Sequence, residues 1–372
     1  MKAKYLVPFM ILAIIFSTLT FADNKLHGKR VIAHTDKEVS DAESKGCKVV
    51  RDARTLKALV CPEDAALSLG LQEDVRVFAV DSGANTQIKA DAVQSSGNTG
   101  SGRKVVILDT GYNKLHPELS SSFLGGKDFV NNDNDPTDDN GHGSHVAGII
   151  TADGVTAKAK GVAPAAGVIA GKVLDASGSG FFSDVVAAIY WAVDNNTGVD
   201  AISLSLGTSP PNTYKGFCDS ALPDLTNAIK YAVGRGVAVV VAAGNSGSAG
   251  VSIPGCISYS TTVGAVDSTN KVASFSGRGN AVDISAPGVN IYSSWLGNSY
   301  VTASGTSMAT PMVTGTVALI KTAHPAYTVS QVQSALFNTA KDLGKKGKDT
   351  DYGYGRVDAF SAVNYISASA KN

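Results

Sequence analysis

The sequence predicts an α/β fold built on a mostly parallel central sheet, preceded by a small α+β unit. Three observations predict it. From Lys104 onward, short continuous apolar runs alternate with stretches of helical spacing, the pattern of strands covered on both faces by helices. The 372-residue chain is 44% apolar but only 7% aromatic and holds 39 glycines, which suits closely packed layers. Residues 23–83 differ, with more charge and less glycine. The formal net charge is zero, so nothing points to nucleic acid as a partner. Four cysteines are too few for a scaffold held by disulfides alone.

In chain order, residues 1–22 have the form of a secretory signal. Lys2 and Lys4 lead an apolar run over 6–16, and Thr20-Phe21-Ala22 offers small residues at a cleavage spacing. The run is short for a bilayer span, and no second one follows. A secreted protein without a stable membrane anchor is expected, and export permits disulfides. Residues 47–50, 56–61 and 75–80 are the apolar runs of the next unit, the last one reading as a strand. Residues 92–103 read as a Ser/Gly-rich loop. Strands are predicted over 104–108, 168–174, 201–207 and 237–243, and helices over 182–193 and 225–233. In a parallel sheet the working residues lie on loops beyond the carboxyl ends of strands. Asp109 follows the first of these strands and Asn245 the last.

Ser304-Gly305-Thr306-Ser307-Met308-Ala309-Thr310-Pro311 places Ser307 at the start of a helical run, with Pro311 near its beginning, where a missing N–H costs little. Free N–H groups and the positive dipole end would surround its hydroxyl. An N-cap serine is the plain alternative. His142 sits in a glycine-bracketed entry to an apolar helix, Asn140-Gly141-His142-Gly143-Ser144-His145. A serine hydroxyl becomes nucleophilic when an imidazole takes its proton, and the imidazole needs a carboxylate to fix its tautomer. The oxyanion needs donors already in place, for which the Asn245 amide and the Ser307 N–H are candidates. The order Asp109, His142, Ser307 is one of the known triad orders.

Together these stretches make the sequence similar to the subtilisin (subtilase) family of serine proteases. The matching runs are Val106-Ile107-Leu108-Asp109-Thr110-Gly111, His116-Pro117, Gly141-His142-Gly143-Ser144-His145-Val146-Ala147-Gly148, Gly161-Val162-Ala163-Pro164, Ser203-Leu204-Ser205-Leu206-Gly207, Ala242-Ala243-Gly244-Asn245 and Gly305 through Pro311. Tyr352-Gly353-Tyr354-Gly355-Arg356-Val357 resembles the closing motif. The resemblance runs from about residue 87 to the end and implies a subtilisin-like three-layer fold. It implies a secreted endopeptidase with Asp109, His142, Ser307 and Asn245 as catalytic residues. A catalytically silent binding protein and a non-peptide serine hydrolase are the alternatives. The complete triad opposes the first, and the missing Gly-x-Ser-x-Gly elbow opposes the second. Asp81-Ser82-Gly83 mimics the aspartate motif but lacks the His-Pro that follows Asp109. His142 and His145 lack the glutamate of a metalloprotease pair, so His145 reads as a packed helix residue.

The resemblance also implies two substrate-binding backbone edges, Gly178-Ser179-Gly180 and Ser205-Leu206-Gly207. Ala242, Ala243 and Gly244 would line the pocket for the residue before the scissile bond, with Ser252 near its base. Small uncharged lining suggests apolar or aromatic side chains there, and Phe182 is a candidate for a second apolar pocket. The loop 128–139 resembles a calcium site, with Asp128, Asn131, Asp133, Asp135 and Thr137 as ligands for Ca2+. A solvated acidic turn is the alternative. A second family calcium site, in the loop 151–160, is expected to be absent: Lys158 and Lys160 lie there, and Glu118 stands where aspartate is common. Cys218 and Cys256 resemble a family disulfide. Cys47 and Cys61 could pair, although sequence alone does not fix connectivity. The implied domains are a signal peptide (1–22), a propeptide serving as intramolecular inhibitor (23–83) and the peptidase (84–372). The connection between the last two is shorter than usual, which leaves the cleavage point open. The partners expected are polypeptide substrates, and a monomer is expected.

Overall fold

A computed structural model describes residues 29–53, 56–73 and 83–367. The expected leader and the strand read over 75–80 lie outside these residues. The described chain separates into two compact units, parting between residues 79 and 80.

The first unit is α+β. Its antiparallel sheet has the order Lys48–Ala53, Leu56–Cys61, Lys29–Ala33, Gln72–Glu73. Helix Asp36–Ser44 opens on a capping box, in which Thr35 and Glu38 each satisfy the other's backbone N–H. Val31, Ala42, Leu59 and Ala66 form its core. Cys47 and Cys61 are disulfide-bonded across it.

The second unit is built on seven parallel strands in the order Ile284–Pro287, Thr261–Val266, Ala238–Ala242, Val199–Leu204, Lys104–Asp109, Gly167–Lys172, Phe123–Asp128. Alternation along the strands divides the core between two faces. Val105 and Ile107 face the helices His142–Thr151 and Thr306–Ala323. Val106 and Leu108 face the helices Phe182–Asp194 and Pro223–Gly234. This is the three-layer α/β architecture expected. Strand order reverses beside Lys104–Asp109: the next two strands pair on one side of it and all later ones on the other. Such a switch point leaves a crevice at the strand ends.

One local expectation is corrected. Residues 92–95 belong to a short helix, Ala90–Ser95, not to the loop read over 92–103. Ala90 and Val93 are buried in the core, and that burial overrides the serine-rich composition. Cys218 and Cys256 are disulfide-bonded. Among the described residues, no helix is long and apolar enough to cross a membrane.

Candidate active site

Asp109 ends the central strand and is fully buried. His142 begins its helix. Glycines let the two segments touch. A Cβ on Gly143 would stand 2.2 Å from the Gly111 carbonyl oxygen, and one on Gly141, at φ +107°, would strike the Trp295 ring at 2.3 Å. The Thr110 hydroxyl accepts the Gly143 N–H and donates to Asp138, at 2.9 and 2.8 Å. As a result His142 Nδ1 lies 2.7 Å from Asp109 Oδ1, which also accepts the Thr110 N–H at 2.7 Å. Burial alone would lower the imidazole pKa, but the Asp109 charge and hydrogen bond override it and raise it. With Nδ1 donating to the carboxylate, Nε2 is the basic nitrogen, and it has no partner among the described residues.

Asp138 secures the helix entry. It accepts from the Asn140, Gly141 and Ser144 N–H groups and from the Ser144 hydroxyl. Burial would raise its pKa, but these donors hold it below the ordinary carboxylate range.

Ser307 is the second residue of helix Thr306–Ala323. Pro311 lies further inside that helix than its predicted place near the entry. Ser307 stands four residues before it, so the missing proline N–H is the one that would have met the Ser307 carbonyl. The Ser205 hydroxyl donates to that carbonyl at 2.9 Å. The Ser307 hydroxyl in turn donates to the Ser205 carbonyl at 3.2 Å and not to the imidazole.

Asn245 is oriented by Thr306. Its Oδ1 accepts the Thr306 N–H at 2.9 Å and the Thr306 hydroxyl at 3.0 Å, and that hydroxyl accepts the Gly244 N–H at 3.1 Å. The side-chain carbonyl is thereby occupied, and the Nδ2 donors have no partner among the described residues. Asn245, His142 and Ser307 line one cleft of about 660 Å³.

Residues 100–355 match the Subtilase family. The chain is a subtilase. It is 38% identical over 337 residues to "Alkaline protease" of Shouchella clausii, covering 87% of this chain and 84% of that protein. It is 42% identical over 278 residues to "Subtilisin Savinase" of Lederbergia lenta, covering 75% and 97%. It is 41% identical over 283 residues to "Subtilisin E" of Bacillus subtilis (strain 168), covering 75% and 70%. The subtilase is therefore a serine peptidase that cleaves peptide bonds through an Asp-His-Ser triad and an acyl-enzyme.

Gly178, Ser179, Gly180, Ser205, Leu206, Gly207, Ala242 and Gly244 line the cleft of the subtilase. Ala243 does not, being packed into the core with no exposed surface. Ser179 is engaged at both backbone groups by the Asp175 turn, whereas Gly180 and Gly207 have no backbone partner among the described residues. Ser252 lies against the pocket wall: a Cβ on Gly244 would meet its Oγ at 2.0 Å, and one on Gly207 its Cβ at 2.8 Å. His145 is buried, and its Nε2 lies within 3.1 Å of the Ile291 and Val301 carbonyls, as a packed helix residue should.

The expected calcium ligands of the subtilase occupy one loop. Asp128 accepts the Val130 and Asn131 N–H groups and the Asn131 amide. Asp133 accepts the Asp135 N–H, and Asp135 accepts the Thr137 hydroxyl and the Lys114 ammonium. In the other loop, the buried Glu118 carboxylate accepts the Gly154, Val155 and Thr156 N–H groups and the Tyr300 hydroxyl.

Sequence reading passed over four groups. Asp138 appeared there only as one acid among many. Lys172 interrupts an apolar strand run, a signal that something polar must meet it. Its buried ammonium reaches the Thr110 and Leu174 carbonyls and Asp139. Phe181 lines the cleft 76% exposed, next to the half-buried Phe182. The Ser205 hydroxyl carries no sequence signal, since the resemblance assigns that residue only a backbone role.

Proposed function

We propose that Ser307 is the nucleophile, His142 its general base and then acid, Asp109 the orienting carboxylate, and Asn245 with the Ser307 N–H the oxyanion donors. The observation that carries this reading is one cleft holding a His142–Asp109 pair at 2.7 Å, a helix-start serine and an unpaired side-chain amide. For attack, the Ser307 hydroxyl exchanges the Ser205 carbonyl for His142 Nε2. Ser307 Oγ then bonds to the peptide carbonyl carbon while Nε2 takes the proton. The carbonyl oxygen becomes an anion facing Asn245 Nδ2 and the Ser307 N–H, which has no acceptor among the described residues. The imidazolium protonates the departing amine, and water repeats the sequence on the acyl-enzyme. A fluorophosphonate tests the reading. Labelling confined to Ser307 is expected, and an unlabelled Ser307 in active protein would reject it.

We further propose that an extended peptide adds along Gly180 on one side and Gly207 on the other, with free backbone groups available at both. Uncharged lining by Ala242, Gly244, Leu206 and Ser252 supports an apolar residue before the scissile bond. Cut sites in a peptide library, read by mass spectrometry, test this.

The oxygen donors of the 128–139 loop suit a hard cation, and we propose that it takes up calcium to brace the loop. No group of three acidic, His or Cys side chains converges on a metal site among the described residues. Calcium would therefore have to displace Lys114 from Asp135 and draw the carboxylates together. A chelator should lower the melting temperature, and an unchanged one refutes the site. We infer also that residues 23–83 act as an inhibitory propeptide. The support is a compact unit with its own core and disulfide, placed ahead of the peptidase. Secretion is supported by the leader-like residues 1–22 and by two disulfides, which persist in oxidising compartments. N-terminal sequencing of the secreted protein locates the mature start.

A further inference from the structure

We propose that the Ser205 side chain is a positioning group for the nucleophile, made necessary by Pro311. The proposal rests on the reading of Ser307 given above. A proline inside a helix offers no N–H to the carbonyl four residues earlier, and its ring pushes that carbonyl away from the helix axis. Here that carbonyl belongs to Ser307 itself. The first turn of the helix therefore lacks its regular i+4 backbone bond at the residue whose hydroxyl and N–H must both be aimed.

Ser205 fills the gap. It lies just past the end of strand Val199–Leu204 and is 3% exposed, so its hydroxyl has little water to turn to. It donates to the Ser307 carbonyl at 2.9 Å across a sequence separation of 102 residues. Ser307 returns a bond from its own hydroxyl to the Ser205 carbonyl at 3.2 Å. The two bonds differ in what the reaction does to them. The hydroxyl of Ser307 must leave the Ser205 carbonyl, because its proton goes to His142. The bond from the Ser205 hydroxyl involves no transferred proton and persists through every step. It fixes the peptide plane that follows Ser307 while the side chain turns. Losing it would misplace the attacking oxygen and the oxyanion-holding N–H together, and a small displacement at the reacting atoms is costly.

A merely structural serine would cost stability without a selective effect on turnover. The test is therefore a double-mutant cycle between Ser205→Ala and Pro311→Ala, following kcat, KM, fluorophosphonate labelling and melting temperature. Ser205→Ala is expected to lower kcat and the labelling rate about tenfold with KM within about twofold. In the Pro311→Ala background a helix N–H is restored to the Ser307 carbonyl, and removing the Ser205 hydroxyl is expected to cost less than about threefold. Unchanged kcat in Ser205→Ala, or a loss equally large in both backgrounds, overturns the proposal. Should Ser205→Ala not fold, Ser205→Cys, a near-isostere with a weak donor, is judged by the same criteria. Failure of the nucleophile reading is a separate result, seen as absent labelling of Ser307 in the unaltered protein.

Discussion

His142 and Ser307 both stand at helix starts, yet they are held in opposite ways. His142 is locked: its ring is bonded to buried Asp109, and its helix entry is wrapped by Asp138 and packed on Gly111 and Trp295. Ser307 is fixed by its backbone and open at its side chain, with the hydroxyl parked on a carbonyl. On the proposed reading the base is set before substrate arrives, and only the Ser307 hydroxyl must leave its present acceptor, the Ser205 carbonyl. Preorganising the group that gains charge, and leaving mobile only the group that moves, keeps the reorganisation cost small.

Breaking the locked side should give the largest effect. Asp109→Asn leaves the shape intact but removes the charge that fixes the tautomer, and kcat should fall about ten-thousand-fold, as in trypsin-type triads. The same change has a pH signature. Because Asp109 raises the His142 pKa, and the base works only when neutral, activity is lost as pH falls through that raised value. In Asp109→Asn the acid limb of kcat/KM should move to lower pH, and a limb that stays in place contradicts the assignment.

Altering the open side without touching the lock should cost less. Asn245→Ala removes an oxyanion donor, and kcat should fall about a hundred- to a thousandfold, the size known for this kind of change in subtilisin. The acid limb should not move, since Asp109 and His142 are untouched. A shifted limb would show that the two sides are not independent.

The smallest effect concerns His145, on the locked helix. Burial holds its pKa down to about 4, against 6.5 in an unfolded chain. The folded form thus resists a proton that the unfolded form accepts. The contribution of His145 to stability should be level above about pH 6.5 and fall by about 3 kcal/mol as pH drops from there to about 4. Denaturant titration across that window checks it, and His145→Gln should flatten the slope.

The sequence made the strand-and-helix alternation legible because burial on two faces leaves continuous apolar runs, as at 104–108. Asp109, His142, Asn245 and Ser307 were legible because each sits in a short run whose glycines and small residues have few other uses. The helix at Ala90–Ser95 was not, since it is the tertiary packing of Ala90 and Val93 that supports it. The Ser205–Ser307 bond was hidden for another reason. It joins residues 102 apart, and its cause, the absent N–H of Pro311, shows only once the helix start is known. Asp138 was lost among neighbouring acids, because sequence does not distinguish a carboxylate that receives five donors from one facing solvent.

The most direct test is the peptidase rate of Ser307→Ala, measured on protein whose melting temperature shows it folded. A loss of about a millionfold in kcat is expected, the size known for the corresponding change in subtilisin. Peptide cleavage at an undiminished rate would contradict it.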